Sequence, residues 1–184
     1  MTSLLQRVVA VLGRVNGPLS LAARNIAGGL LAVMLALALA QIVSRGVFHH
    51  SLDWAEELAR VALVWSVLLV APYAYRKGAH VAIVSFAEAL PPRLLAATSL
   101  LLNALVVWIL AVLFLESFAF WRRGLEISAA TLDLKMAWIY WIVPAAFAML
   151  LLVGVELIGR LMLHVGGGKS GIVMEGAMPA VVED

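Results

Sequence analysis

The sequence predicts an all-α integral membrane protein with four transmembrane helices. Of its 184 residues, 64% are hydrophobic and only 13% are charged, and the mean hydropathy is +1.03. A water-soluble domain carries about 25% charged residues, so this chain has too little polar surface to cover a globule. Four apolar runs are also long enough to cross a hydrocarbon core, which takes roughly 20 residues per helix. These observations exclude the soluble, disordered, collagen and coiled-coil classes.

The predicted spans follow from the lengths of the apolar runs. The last two contain about 28 residues each and exceed what the core requires, so we expect them to tilt or to extend beyond it. Transmembrane β-strands would alternate apolar and polar residues, and these runs do not. Residues 1–24 are predicted to form a cytoplasmic N-terminal segment, and residues 164–184 a flexible cytoplasmic tail. The spans are residues 25–48, 55–75, 94–121 and 136–163.

The link between the second and third spans contains the apolar stretch V-A-I-V-S-F-A-E-A-L at residues 81–90, followed by Pro91 and Pro92. This stretch is too short to span the membrane and too apolar to remain in water. We therefore predict a short interfacial helix that lies flat on the membrane. An extension of a neighbouring span is the alternative.

Orientation follows from the lysine and arginine residues. An even number of spans places both termini on one side, and the side richer in these residues is normally cytoplasmic. The side of the termini carries eight of the 13: Arg7, Arg14, Arg24, Arg76, Lys77, Arg93, Arg160 and Lys169. The opposite side carries Arg45, Arg60, Arg122, Arg123 and Lys135. We therefore expect both termini in the cytoplasm, and interfacial anchors at the outer ends from Trp54, Trp121, Trp138 and Trp141.

A charged cluster opens the second span at the predicted outer face, in the sequence D-W-A-E-E-L-A-R. Arg60 follows Glu56 by four residues and Glu57 by three, so either carboxylate can pair with it on one helix face. Asp53 begins the same turn, and Arg45 of the first span is a plausible partner across the helices. The cluster is interpreted as a structural ion-pair clamp or as a docking surface for an external protein.

Other polar residues lie inside the spans. Gln41 and Asn103 are predicted to make inter-helix contacts, because side-chain amides in a membrane bond across helices. Glu116 is close enough to the outer end of the third span to reach the interface, and Glu156 and Arg160 form an i,i+4 pair near the inner end of the fourth. None of these acids has the midplane position of a proton relay.

The sequence provides no support for catalysis or for a bound cofactor. There are no cysteines, and the four histidines occupy links and helix ends, where they cannot sandwich a haem. No metal-binding spacing and no nucleophile with a base is present, so we predict no catalytic residue, no metal site and no enzyme activity. The basic residues are scattered between apolar runs. This distribution indicates contact with membrane lipids and argues against nucleic acid.

Several motifs lie in order along residues 25–163. They are S-R-G-V-F at 44–48, W-A-E-E-L-A-R at 54–60, Trp65, R-K-G-A-H at 76–80, L-P-P-R at 90–93 and W-I-Y-W-I-V-P at 138–144. In this order they resemble one family, the small permease subunit of TRAP (tripartite ATP-independent periplasmic) transporters. The chain departs from the family pattern at two places: it has H-V-A-I-V from His80 where family members often have a pattern like H-I-R-V-D, and Lys135 where they often have proline.

The resemblance implies a subunit of a symporter in the bacterial inner membrane, not a complete transporter. Its partners would be a large multi-span permease and a periplasmic substrate-binding protein, and the complex would take up small organic acids. The coupling ion, commonly sodium, would be bound by the large subunit, and the small subunit would be a scaffold without a cofactor. The family pattern also implies an inner-face motif of Arg76, Lys77, Gly78 and His80. A membrane anchor of a respiratory complex is the alternative function.

Overall fold

The computed structural model describes residues 2–77, 92–129, 131 and 134–165. Within these ranges the chain is almost entirely helical, and an isolated β-bridge joins Ser128 and Lys135. The helices are α1 (Thr2–Phe48), α2 (Asp53–Arg76), α3 (Pro92–Arg123), α4 (Ala137–Tyr140) and α5 (Ile142–Val165).

Four helical segments in the described residues are long and apolar enough to cross a membrane. They are Leu4–Phe48, Asp53–Arg76, Ala97–Arg123 and Ala137–Leu163. The predicted fold class is therefore confirmed. The predicted interfacial helix and most of the predicted tail fall at 78–91 and 166–184, outside the described residues.

Helix α1 is much longer than the span predicted within it. Its 47 residues correspond to about 70 Å at 1.5 Å per residue. It begins at Thr2 and continues through Pro18, so residues 2–24 are helical. The placement of this segment in the cytoplasm stays a prediction.

The helices pack as an α1–α2 hairpin against α5, with α3 on another side of α5. A buried apolar cluster lies where α1, α2 and α5 meet: Ala23, Ala27, Leu69 and Ile142, with Trp65 and Met149 among the residues around it. The two alanines bring the backbone of α1 close to α2, as small residues do between membrane helices.

Two short connections close the ends of the hairpins. Residues 49–52 join α1 to α2, with His49 at φ 51° and a hydrogen bond of 2.9 Å from Ser44 Oγ to the His50 carbonyl oxygen. Between α3 and α4 the chain turns at Gly124, whose carbonyl oxygen accepts a bond of 2.9 Å from the Ala137 N–H. The last span is interrupted at Trp141, three residues before Pro144, which has no N–H to donate to Tyr140.

Candidate functional site

A buried carboxylate joins three helices at the end of α5. Glu156 is fully buried, and its Oε2 accepts a hydrogen bond of 2.7 Å from Asn16 Nδ2 of α1. Its Oε1 accepts a bond of 3.2 Å from Arg76 Nη2 of α2 and is also bound by Arg160, one turn further along α5. We call Asn16, Arg76, Glu156 and Arg160 the Glu156 cluster. It ties α1, α2 and α5 together.

Two glycines of α1 make room for the guanidinium groups. A Cβ at Gly13 would lie 3.3 Å from both Arg160 Nη2 and Glu156 Oε1, and a Cβ at Gly17 would lie 3.6 Å from Arg76 Nη1. Gly13 and Gly17 are four residues apart, which is the usual spacing of small residues where two membrane helices pack closely. Here the two glycines leave room for charged side chains at the surface of α1. The packing of α1 and the ion pairs of Glu156 therefore depend on the same turn of this helix.

The charges of the Glu156 cluster do not balance. Two arginines surround one carboxylate, and their side chains are only 26% and 13% exposed for Arg76 and Arg160. Burial of a charge is costly unless partners compensate for lost water, so each arginine depends on Glu156. Among the described atoms, Asn16 Oδ1 and the Nε atoms of both arginines are buried without a hydrogen-bond partner. The cluster therefore places two guanidinium groups around a single carboxylate in a largely buried joint.

A second set of contacts supports this end of the bundle. Arg24 of α1 lies over the ring of Tyr73 at 4.8 Å, and its Nη1 donates to the Tyr73 hydroxyl at 3.1 Å. The Tyr75 hydroxyl donates to Asn103 Oδ1 of α3 at 3.1 Å. Asn103 also donates to the Ser99 carbonyl oxygen at 2.9 Å, so its amide links α2 to α3.

Replacing Asn103 with leucine should lower the stability of the chain by about 0.6–2 kcal/mol, because the bond from Tyr75 would be lost. Thermal unfolding in detergent measures the effect. Tyr75→Phe removes the same bond from the other side, so the double variant should cost less than the sum of the single variants. Additive losses would contradict a contribution from this bond.

The charged cluster that opens α2 is largely exposed. Glu56 accepts hydrogen bonds of 3.3 Å from Gln41 Nε2 and 3.2 Å from Arg60 Nη2. We call these three residues the Glu56 cluster. The side chains of Arg60 and Glu56 are 70% and 52% exposed, so their ion pair is worth little by itself.

Glu57 has a different partner from its neighbour. It accepts a hydrogen bond of 2.8 Å from the Thr131 N–H and is also bound by the Thr131 hydroxyl, so it connects α2 to the α3–α4 connection. Arg45 and Asp53 are exposed and form no ion pair with another described residue. The expected pairing of Arg45 with the acids of α2 is therefore not formed within the part of the chain that the structure describes.

The aromatic residues predicted as anchors gather around the same end. Trp54, Trp138 and Trp141 are exposed and Trp121 is partly exposed. Trp141 stacks edge to face on Trp65 with ring centroids 6.0 Å apart, and Trp65 Nε1 donates to the Ile139 carbonyl oxygen at 3.0 Å. Trp65 thus holds α4 against α2.

Of the inner-face motif, Arg76 belongs to the Glu156 cluster and Lys77 follows the last residue of α2. Gly78 and His80 lie outside the described residues. Asn16 is not among the site residues that the sequence predicts, because it lies in the segment 1–24, outside the predicted spans. Its signal is a stripe of buried small or polar residues along α1, formed by Asn16, Ser20, Ala23 and Ala27.

The two clusters lie at opposite ends of α2. From Glu56 to Arg76 the helix rises about 30 Å, which equals the thickness of a hydrocarbon core. Among the described residues, no group of three or more His, Cys, Asp or Glu side chains could hold a metal ion. The polar side chains that connect the spans bind one another, so this geometry is that of a braced helix bundle.

Comparison with known proteins identifies the family. Residues 34–164, more than two thirds of the chain, match the family described as "Tripartite ATP-independent periplasmic transporters, DctQ component". The chain belongs to this family. A DctQ protein is the small membrane subunit of a TRAP transporter, a transporter component and not an enzyme, as the sequence predicted. The family and the four apolar helices make this DctQ protein a multi-pass protein of the inner membrane.

A curated relative belongs to the same transporter class. The chain is 35% identical over 79 residues to "Sialic acid TRAP transporter permease protein SiaT" of Haemophilus influenzae (strain 86-028NP). The match covers 43% of this chain and 13% of the relative, so this DctQ protein spans a small part of the relative's length. The family decides between the two functions considered from sequence in favour of the transporter subunit.

Proposed function

We propose that this DctQ protein is the scaffold of a TRAP transporter whose large permease subunit carries the substrate. A periplasmic binding protein delivers a small organic acid to the complex, and an ion gradient drives its uptake. The family match carries this proposal. The relative named for sialic acid, itself a carboxylic acid, supports the substrate class.

The braced bundle supports a scaffold role. The Glu156 cluster fixes three helices with ion pairs inside one joint, and Tyr75 and Asn103 attach the remaining long helix. A moving transport domain is usually built from broken helices with unwound segments near the bilayer midplane. We assign the coupling ion, sodium, to the large subunit, and no cofactor to this chain.

Co-purification and reconstitution test the proposal together. A tag on this chain should retain the large permease when both are expressed from the same genome. Liposomes that contain the complex should take up a carboxylate when the binding protein and a sodium gradient are supplied, whereas liposomes with this chain alone should not. Uptake by the chain alone, or failure to retain a large permease, would overturn the proposal.

We also propose that both termini lie in the cytoplasm, with the Glu156 cluster at the inner face and the Glu56 cluster at the periplasmic face. A reporter that is active only in the cytoplasm, fused after Lys169, should be active. The same reporter inserted after Ser51 of the α1–α2 connection should be inactive. An inactive reporter after Lys169 together with an active one after Ser51 would show that the termini lie in the periplasm, which contradicts the proposed topology.

A further inference from the structure

Helix α3 has two opposite faces with different surroundings. One face packs inward: Leu110 and Ser117 are buried, Asn103 binds Tyr75, and Val107 lies where a Cβ on Gly154 would approach to 2.6 Å. The opposite face is exposed along its length and covers an arc of about 80° at 3.6 residues per turn. We call this face the Trp108 stripe, formed by Leu101, Leu105, Trp108, Val112 and Glu116.

Glu116 is out of place on a face that would contact lipid. It is exposed, and the residues around it on the helix surface, Val112, Leu113 and Phe120, are exposed and apolar. It makes no ion pair with any residue that the structure describes. Glu116 was expected to reach the outer interface, but it lies only about 9 Å past the middle of the Ala97–Arg123 segment, and helical side chains tilt toward the N-terminus, which here is back into the span. An unpaired charge inside a span is costly and marks a functional contact.

Trp108 is a second anomaly on the same stripe. It is 66% exposed and lies two residues from the middle of the Ala97–Arg123 span. Tryptophan in membrane proteins concentrates at the interfaces, where its N–H can reach water; an indole N–H that faces hydrocarbon has no partner unless another protein group supplies one. The Trp108 indole has none among the described residues. Two polar groups on one stripe therefore lack partners at hydrocarbon depth.

The exposed side of α1 offers a contrast. Between residues 30 and 44 its most exposed large side chains are aliphatic, and Gln41 is already bonded to Glu56. Such an aliphatic surface can face lipid tails, which are equally apolar, without any protein partner. The aliphatic residues are Leu31, Val33, Leu35, Leu39, Ile42 and Val43.

We infer that the Trp108 stripe of α3 is the docking surface for a transmembrane helix of the large permease, one that presents an arginine or lysine at the depth of Glu116 and a hydrogen-bond acceptor opposite Trp108. The inference rests on the proposed function. Pairing with a cation removes the cost of a lone carboxylate in hydrocarbon, and a helix rich in small residues packs closely around a protruding indole. Glu116 then selects the partner helix by its charge, and Trp108 fixes the position of that helix along the membrane normal.

The substitution Glu116→Leu separates a protein contact from a lipid contact by the sign of its effect. If Glu116 pairs with a cation of the large subunit, leucine leaves that cation unpaired, and recovery of the large subunit on the tagged chain should fall at least tenfold. If the stripe faces lipid, leucine suits it better and recovery should stay the same or rise. The purified chain alone should unfold at an unchanged temperature, because Glu116 has no partner within the described chain. Unchanged or increased recovery overturns the inference.

A labelling experiment tests the same surface with the complex intact. The chain has no cysteine, so Val112→Cys provides a single thiol on the stripe. A small lipid-soluble maleimide should label it at least tenfold more slowly in the complex than in the chain alone. Leu35→Cys on the aliphatic side of α1 is the matched control and should react equally in both. Equal rates at position 112 would overturn the inference.

The two proposals fail in distinguishable ways. If the wild-type chain retains no large subunit, the proposed function fails. If the wild-type chain retains it while Glu116→Leu and Val112→Cys behave as lipid-facing variants, the docking surface alone is wrong.

Discussion

Replacing Glu156 with alanine is expected to lower the stability of the chain by about 3–5 kcal/mol. The variant would leave the guanidinium groups of Arg76 and Arg160 in a buried joint without their carboxylate, and would remove a partner of Asn16. The first, second and fourth spans meet there, so recovery of the folded chain and of the complex should fall together. Thermal unfolding in detergent measures the effect.

Glu56→Ala is the matched control for this prediction. Glu56 also pairs with an arginine four residues later, but both side chains are more than half exposed. An exposed pair is typically worth less than about 1 kcal/mol, so the control should remain close to wild type. Equal losses from Glu156→Ala and Glu56→Ala would contradict the assignment of Glu156 as the joint between three helices.

Gly124→Ala is expected to cost about 1–3 kcal/mol, through overpacking. A Cβ at Gly124 would lie 2.8 Å from the Ala137 nitrogen and 2.7 Å from Tyr140 Cδ2. The nitrogen belongs to the backbone, so the turn between α3 and α4 must move to admit the methyl group. The hydrogen bond from Ala137 to the Gly124 carbonyl oxygen would then weaken. Thermal unfolding and protease sensitivity of residues 124–136 measure the change.

Gly46→Ala serves as its control. Gly46 lies in α1, and a Cβ there would meet no atom within 4 Å. Alanine favours a helix more than glycine does, so this variant should keep or slightly raise the stability. A loss at Gly46 as large as that at Gly124 would show that the effect does not come from the contact with α4.

The spans were predictable because hydropathy and length report where a helix crosses hydrocarbon. The second span was predicted at 55–75, and α2 is Asp53–Arg76. The other three apolar segments of the structure end at Phe48, Arg123 and Leu163, and the sequence places these ends at Phe48, Trp121 and Leu163. The family was also predictable, because its motifs lie in order along the predicted spans.

Hydropathy does not report where a helix begins outside the hydrocarbon. Arg7, Arg14 and Arg24 interrupt the apolar pattern of the first residues without interrupting the helix, so the full length of α1 was not predicted. Spacing along one helix predicted the pair of Glu156 and Arg160. The bond from Arg76 to Glu156 joins residues 80 positions apart and depends on the relative register of two helices, which one sequence does not specify.

The neighbouring acids Glu56 and Glu57 illustrate the same division. Spacing allowed Arg60 to pair with either Glu56 or Glu57, and the structure places Glu56 on Arg60 and Glu57 on Thr131. The choice depends on the contact of Glu57 with Thr131 of the α3–α4 connection, which is 74 residues away in the sequence but adjacent in the fold. Local periodicity therefore predicted the candidates, and tertiary contacts selected between them.

The length of α1 sets a lower limit on how much of it leaves the bilayer interior. Even at a tilt of about 40°, the steepest usual for such helices, a core about 30 Å thick accommodates only about 26 residues. Some 20 of its 47 residues therefore project past the acyl chains. Leu4, Val8 and Val11 are exposed near the start of this rod and alternate with Arg7 and Arg14. Helix α1 therefore carries a mixed apolar and basic surface beyond the hydrocarbon core, and the subunit extends out of the bilayer interior on at least one side.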